Sequence, residues 1–193
     1  MSARWFFALW PDETTRRILV ERLRLWVPDG ARAVHPLDLH LTLVFLGELD
    51  PDRLACAESV AGELTAAPID LTLDCVGVFP RPQVLWYGPT RTPHILLDTV
   101  DALQRALCRC GMTPERRPYR AHMTLARRAR ALLPEVAVEP LAWQARDFVL
   151  AAGYPGALPR YRVRRRWPLG SAAGQGMAGD VGTDRQVSGV SGA

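Results

Sequence analysis

From Arg4 to Trp10 the chain reads RWFFALW, apolar on both faces of an extended strand. Pro11-Asp12 then opens an arginine-rich segment in which Ile18, Leu19, Leu23 and Trp26 recur at helical spacing. Asp50-Pro51 repeats that start signal, a capping side chain followed by proline in the first helical position, and predicts a helix to about Ala66. Thr92-Pro93 does so a third time. The helix predicted there carries Leu96, Val100, Leu103 and Leu107 on one stripe and stops at Gly111. Strand-like runs lie at 39–46, 69–79, 83–90, 119–126, 143–151 and 160–168. Turns such as Phe79-Pro80-Arg81-Pro82 leave connections too short for parallel crossovers, so the interleaved elements predict antiparallel pairing and an α+β fold.

Composition narrows this picture in four places. A chain of 193 residues, 48% hydrophobic and 23% charged, has the balance of a globular protein with a sizeable core. From Gly170 onward it turns to Gly, Ser and Ala without an aromatic residue, so the expected arrangement is a folded domain over 1–170 and a disordered tail over 171–193. The apolar start is too short for a signal peptide or a membrane span, and the expected setting is the cytoplasm, with no membrane partner. Cys56, Cys75, Cys108 and Cys110 lack the paired spacing of a zinc or redox motif and are expected to be free thiols.

All 24 basic residues are arginine. The absence of lysine excludes Schiff bases, lysyl-adenylates and a P-loop lysine. The net charge of +4 is concentrated, with eight arginines against Glu115 alone in 105–130 and five more in 160–166. Such clustering suits a polyanionic partner.

Within this arginine-rich sequence one kernel occurs twice. DLHLTLVFLG at 38–47 and RPYRAHMTLARR at 117–128 both contain His-x-Thr-Leu, once in each half of the ordered chain. Strand alternation places His40 with Thr42 on one face and His122 with Thr124 on another such face, each backed by apolar residues. Facing each other across a cleft, the strands would bring together two histidines and two hydroxyls. Two histidines suit a reaction that needs base and acid at once, because one can be neutral while the other is protonated near pH 7. Threonine hydroxyls can donate to phosphate oxygens and arginines can neutralise their charge. No third ligand at metal-binding spacing accompanies the pair, and His35 and His94 sit beside prolines at a loop and a helix start.

With RWFFALWP, DLHLTLVFLG, FPRPQVLWYG and RPYRAHMTLARR in this order, residues 4–169 resemble the 2H phosphoesterase superfamily. The closest resemblance is to the RNA 2′,3′-cyclic phosphodiesterases, also called 2′-5′ RNA ligases. The resemblance implies two pseudo-symmetric lobes with mostly antiparallel sheets flanked by helices and an active site in the central cleft. It implies hydrolysis of an RNA-terminal 2′,3′-cyclic phosphate to a 2′-phosphate without metal or other cofactor, by a monomer whose RNA partners include tRNA fragments. His40 resembles the proton donor, His122 the proton acceptor, Thr42 and Thr124 the phosphate-contacting hydroxyls, and Arg127 a phosphate-binding arginine. In a regular strand Arg120 shares the face of His122 and Arg127 points away, so Arg127 serves only where the strand ends or bulges near Ala126. Arg127 ranks first and Arg120 second. Phe45, Trp86 and Tyr119 are candidates to stack on a base, although strand parity sets Phe45 with Leu43. Rival readings are another 2H activity, on a nucleotide cyclic phosphate or a 2′-5′ linkage, and a non-catalytic RNA-binding module.

Overall fold

The computed structural model describes residues 3–129 and 138–170; the tail expected over 171–193 lies outside them. Helix starts follow the capping chemistry in two of three cases. Asp12 caps α1 (Glu13–Trp26) by accepting from the Thr15 amide at 2.8 Å, and Asp50 caps α2 (Pro51–Gly62) by accepting from the Arg53 amide at 2.8 Å. In α3 (His94–Leu107) the cap position falls to Pro93, which offers no side-chain bond, and Thr92 stands outside the helix.

Strands β1 (Arg4–Leu9), β2 (Arg32–Ala33), β3 (Leu41–Gly47), β4 (Ile69–Leu73), β5 (Cys75–Phe79), β6 (Val84–Gly88), β7 (Met123–Arg127), β8 (Leu141–Ala145), β9 (Asp147–Gly153) and β10 (Tyr161–Pro168) pair antiparallel throughout. The α+β class follows. Two of the predicted runs each contain two strands. The run 69–79 breaks at Asp74, whose carboxylate accepts from the Thr90 amide at 2.6 Å, and 143–151 breaks at Arg146. These breaks send β4 and β8 into a separate two-stranded ribbon, while β5 and β9 join the main sheet.

The main sheet runs β10-β9-β1-β3-β7-β6-β5, with β2 also on β7. Its halves meet at a single residue pair, Leu41 with Met123, beyond which β2 takes the place of β3 beside β7. Two structural repeats are visible around this junction. In each, a strand is followed by a helix and then by a His-x-Thr strand paired back to the first: β1-α1-β3, and β6-α3-β7. Each repeat then passes through the ribbon and gives its next strand to the other half, β5 to β6 and β9 to β1.

The three helices cover one face of the sheet. Leu19 and Leu23 of α1, Ala57 and Val60 of α2, and Leu96, Val100 and Leu103 of α3 share a core cluster with Leu41, Leu43, Met123 and Leu125. The α3 stripe is almost fully buried, which contributes roughly 1.5–3 kcal/mol per large side chain. On the opposite face lies a small cluster of Phe6, Ala8, Val149 and Ala151 with Trp10 and Tyr161 packed against it. No helix among the described residues is long and apolar enough to cross a membrane.

One cysteine expectation is corrected. Cys56 on α2 and Cys110 form a disulfide, leaving Cys75 and Cys108 free. Helix α3 ends at Leu107 and a 3-10 turn follows over Cys108–Cys110, so Cys110 turns inward towards α2 while Cys108 stays exposed. Helical phase alone could not anticipate that turn.

Candidate active site

The four kernel residues converge at the junction between the halves. With Leu41 opposite Met123 in an antiparallel pair, His40 falls across from Thr124 and His122 across from Thr42. Leu41 and Met123 point into the core and are fully buried, so their neighbours in sequence turn to the open face. Both histidines occupy the extended residue just ahead of the strand proper.

Each histidine is anchored in the same way. Nδ1 of His40 lies 2.7 Å from the carbonyl of Asp38, and Nδ1 of His122 lies 2.8 Å from the carbonyl of Arg120. A carbonyl only accepts, so each Nδ1 carries a hydrogen and each Nε2 is left to exchange protons. Asp38 and Arg120 thus occupy equivalent positions in the two repeats with opposite side-chain charge.

The surroundings of the two rings differ. His40 stacks on Trp10 at 5.2 Å and also contacts Phe6 and Tyr161, both within about 5 Å between centroids. Burial in this aromatic cage lowers the pKa of His40 from 6.5 to about 4, against the hydrogen bond and negative charge of Asp38, which favour the proton. Arg127 and His122 lower it further by charge repulsion, which places both within electrostatic reach of His40. Among the described residues the one aromatic ring against His122 is Phe79, edge to face at 5.1 Å.

The parity question for Arg127 is resolved by a bulge. Across β6 the register runs Tyr87–Met123, Trp86–Thr124, then Leu85–Ala126 and Val84–Arg127, so Leu125 is an extra residue. Leu125 and Ala126 are both buried, and Arg127 returns to the exposed face with Thr124. The first kernel has the same device. Between β1 and β3, Ala8 pairs with Thr42 and Phe7 with Val44, which makes Leu43 the extra residue. Phe45 therefore departs from its parity with Leu43, shares the face of Thr42 and is 63% exposed. In the two repeats Phe45 and Arg127 hold equivalent positions, one aromatic and one cationic.

The other candidates take distinct places. The Arg120 guanidinium lies over the rings of Trp86, at 4.7 Å, and Phe79, at 5.0 Å. Trp86 is 5% exposed, covered by Arg120 and Phe79, and lies against Gly77, where an added Cβ would come within 2.4 Å of its ring. It presents no open face to a base, and its part is to carry Arg120. Tyr119 donates its hydroxyl to the Thr42 carbonyl at 2.9 Å, tying the segment before the second kernel to the first, and burial pushes its phenol pKa well up.

A cleft of about 1080 Å³ opens at Thr42 and His122 and runs past Phe45 and Tyr119. Among the described residues no group of three or more His, Cys, Asp or Glu side chains is placed to hold a metal ion. His35 caps the 3-10 turn Pro36–Asp38 and His94 begins α3, both apart from the kernels.

Sequence reasoning missed the cage and its anchor. Asp38 is 4% exposed, and its carboxylate accepts from the amides of Arg160 and Tyr161 at 2.8 and 2.9 Å, which brings the start of β10 against His40. Its position two residues before the histidine was the available signal. Trp10 and Phe6 belong to the RWFFALW run, whose core-like composition conceals that alternate side chains face the site.

Two Nδ1-anchored histidines, two hydroxyls and an arginine thus share one open face. The chain belongs to the 2′-5′ RNA ligase superfamily, whose family model matches residues 10–152. It is 31% identical over 172 residues to the RNA 2′,3′-cyclic phosphodiesterase of Escherichia coli K12, covering 86% of this chain and 96% of that protein. It is 34% identical over 165 residues to the protein of that name from Thermus thermophilus, covering 76% of this chain and 80% of that one. The crystal structure of E. coli LigT complexed with 3′-AMP superposes with a TM-score of 0.76 at 28% identity, over 88% of this chain and 99% of that one.

Proposed function

We propose that residues 1–170 form a domain that hydrolyses the 2′,3′-cyclic phosphate at the end of an RNA, leaving a 2′-phosphate and a free 3′-hydroxyl. The observation that carries this reading is the Leu41–Met123 register, which sets each histidine across from the other kernel's threonine on one open face. The names of the relatives support the same substrate.

In the proposed step a water oxygen attacks phosphorus and its proton passes to Nε2 of His122. The bond from phosphorus to O3′ breaks, and O3′ takes a proton from Nε2 of His40. Thr42 and Thr124 donate to the non-bridging oxygens, Arg127 holds the phosphate charge, and Phe45 packs on the terminal base. Because His40 is neutral in the free protein near pH 7, its proton is taken up together with the substrate, whose anion offsets the cost of charging the cage. That same low proton affinity favours a second reading in which the roles exchange and His40 accepts the proton from water.

The protein acts as a monomer in the cytoplasm, with tRNA fragments among its substrates. With no lysine to carry an adenylate, any weak joining of RNA ends runs as the reverse reaction, without ATP. The test is an RNA dinucleotide ending in a 2′,3′-cyclic phosphate, incubated with EDTA present. Conversion to the 2′-phosphate is expected, and no turnover, or turnover only with added metal, would overturn the mechanism. Calorimetry of a non-hydrolysable analogue of the cyclic phosphate binding to a His122→Ala variant at pH 7, in buffers of different ionisation heat, separates the two role assignments: uptake of about one proton marks His40 as donor, and none marks it as acceptor.

A further inference from the structure

The cleft is larger than its chemistry requires. A cavity of roughly 300 Å³ already takes a small drug-sized ligand, about the size of one nucleotide. The cleft here measures about 1080 Å³, and of the kernel residues Thr42 and His122 form part of its lining. Its walls also include Leu49 and Arg53, at the start of α2, and Met112 and Arg116, in the segment after α3. Gln104 of α3 forms part of the lining. The Cys56–Cys110 disulfide ties these walls together, one helical turn beyond Arg53 on one side and two residues before Met112 on the other.

These walls have the chemistry of a single-stranded RNA track. Partly exposed apolar side chains, Phe45, Leu49 and Met112, share the lining with guanidinium groups that can take phosphates. Arg116 has no carboxylate partner among the described residues, and Arg53 has only its exposed neighbour Asp50 at 3.7 Å. A third arginine of this lining, Arg117, is held by Glu115 at 2.9 Å. Glu48 also lines the cleft and can accept from base amino groups but repels phosphate, which directs the backbone towards Arg53 and Arg116.

From this arrangement we infer a second subsite, built by Arg53 and Arg116, that binds the nucleotides upstream of the terminal pair in the same RNA strand. The inference rests on the proposed cyclic-phosphate chemistry at the kernels. It makes the preferred substrate an oligonucleotide of several residues, in which the upstream nucleotides add binding and leave the reacting bond untouched.

The experiment compares kcat/KM for a dinucleotide and a pentanucleotide, each ending in a 2′,3′-cyclic phosphate, in the wild type and in a double variant, Arg53→Ala with Arg116→Ala. Both side chains are exposed, so the variant should fold. The wild type should prefer the pentanucleotide on the order of tenfold, and the variant should lose that preference while keeping dinucleotide turnover. The salt dependence of log(kcat/KM) for the pentanucleotide should flatten by about 0.7 for each phosphate that the variant no longer neutralises. Equal rates for the two lengths in the wild type, or a variant impaired equally on both, would overturn the subsite and leave the chemistry standing. No turnover of the dinucleotide by the wild type would remove the chemistry, and the subsite with it.

Discussion

Replacing His40 by glutamine should flatten part of the protein's acid sensitivity, by an amount the aromatic cage sets. Well above pH 6.5 the imidazole is neutral in both folded and unfolded chains and contributes no pH dependence. Between pH 6.5 and about 4 the unfolded chain takes up a proton that the folded site refuses, so stability falls as pH falls. The slope is about 1.4 kcal/mol per pH unit, and the loss reaches about 3 kcal/mol once pH passes below the folded pKa. Urea unfolding followed by tryptophan fluorescence at pH 7.5, 6.5, 5.5 and 4.5 measures this for wild type and His40→Gln. The common response of all other groups cancels in the difference. Between pH 6.5 and 4.5 the wild type should lose roughly 2–3 kcal/mol more than the variant. Parallel curves would refute the argument, because they would mean that the folded protein protonates His40 as readily as the unfolded chain does. Trp10→Ala, which opens the stacked face to water, should move the wild-type slope part of the way towards that of the variant.

Three other outcomes are expected. His40→Ala and His122→Ala should each lower kcat by about 10²- to 10⁴-fold without multiplying in the double variant, while Thr42→Ala and Thr124→Ala cost on the order of tenfold to a hundredfold; near-normal turnover in either histidine variant would remove that residue from the chemistry. Arg127→Ala should raise KM and lower kcat for the dinucleotide more than Arg120→Ala, because the bulge at Leu125 brings Arg127 to the open face while Arg120 is spent on Trp86 and Phe79; the reverse ranking would make Arg120 the clamp. Cys56→Ser should lower unfolding free energy by roughly 4 kcal/mol in a non-reducing buffer, from the 54-residue separation that the bridge closes, and dithiothreitol should reproduce the loss in the wild type; a variant as stable as the oxidised wild type would show the bridge does not form in solution.

How far the sequence could be read depended on whether the signal was local. Asp12 and Asp50 announce their helices through their own side chains, and the α3 stripe was visible because helical phase is a property of neighbouring residues. The kernels were equally plain, since the faces of His40 and Thr42 follow from alternation over three residues. What failed were the features set by packing against distant chain. The bulges at Leu43 and Leu125 exist only relative to β1 and β6, so no count along a single strand could place Phe45 or Arg127. Trp86 reads as a free aromatic until Gly77 and Arg120 are seen to enclose it. The Asp38 carboxylate finds its partners at Arg160 and Tyr161, at the far end of the folded chain.

The exchange of edge strands between the repeats has a consequence during synthesis. Strand β1 acquires β3 early, but its other edge is closed only by β9, which emerges from the ribosome roughly 140 residues later. At ~5–20 residues per second that is a wait of roughly 7–30 s. Throughout it, the apolar stretch Trp5–Leu9 presents an unpaired row of amides and carbonyls, the kind of edge that recruits strands from other chains. The β5-β6-β7 half can pair as soon as β7 has emerged, whereas the β1-β3 half waits for β9, so the nascent chain is most vulnerable to association just before β9 is released.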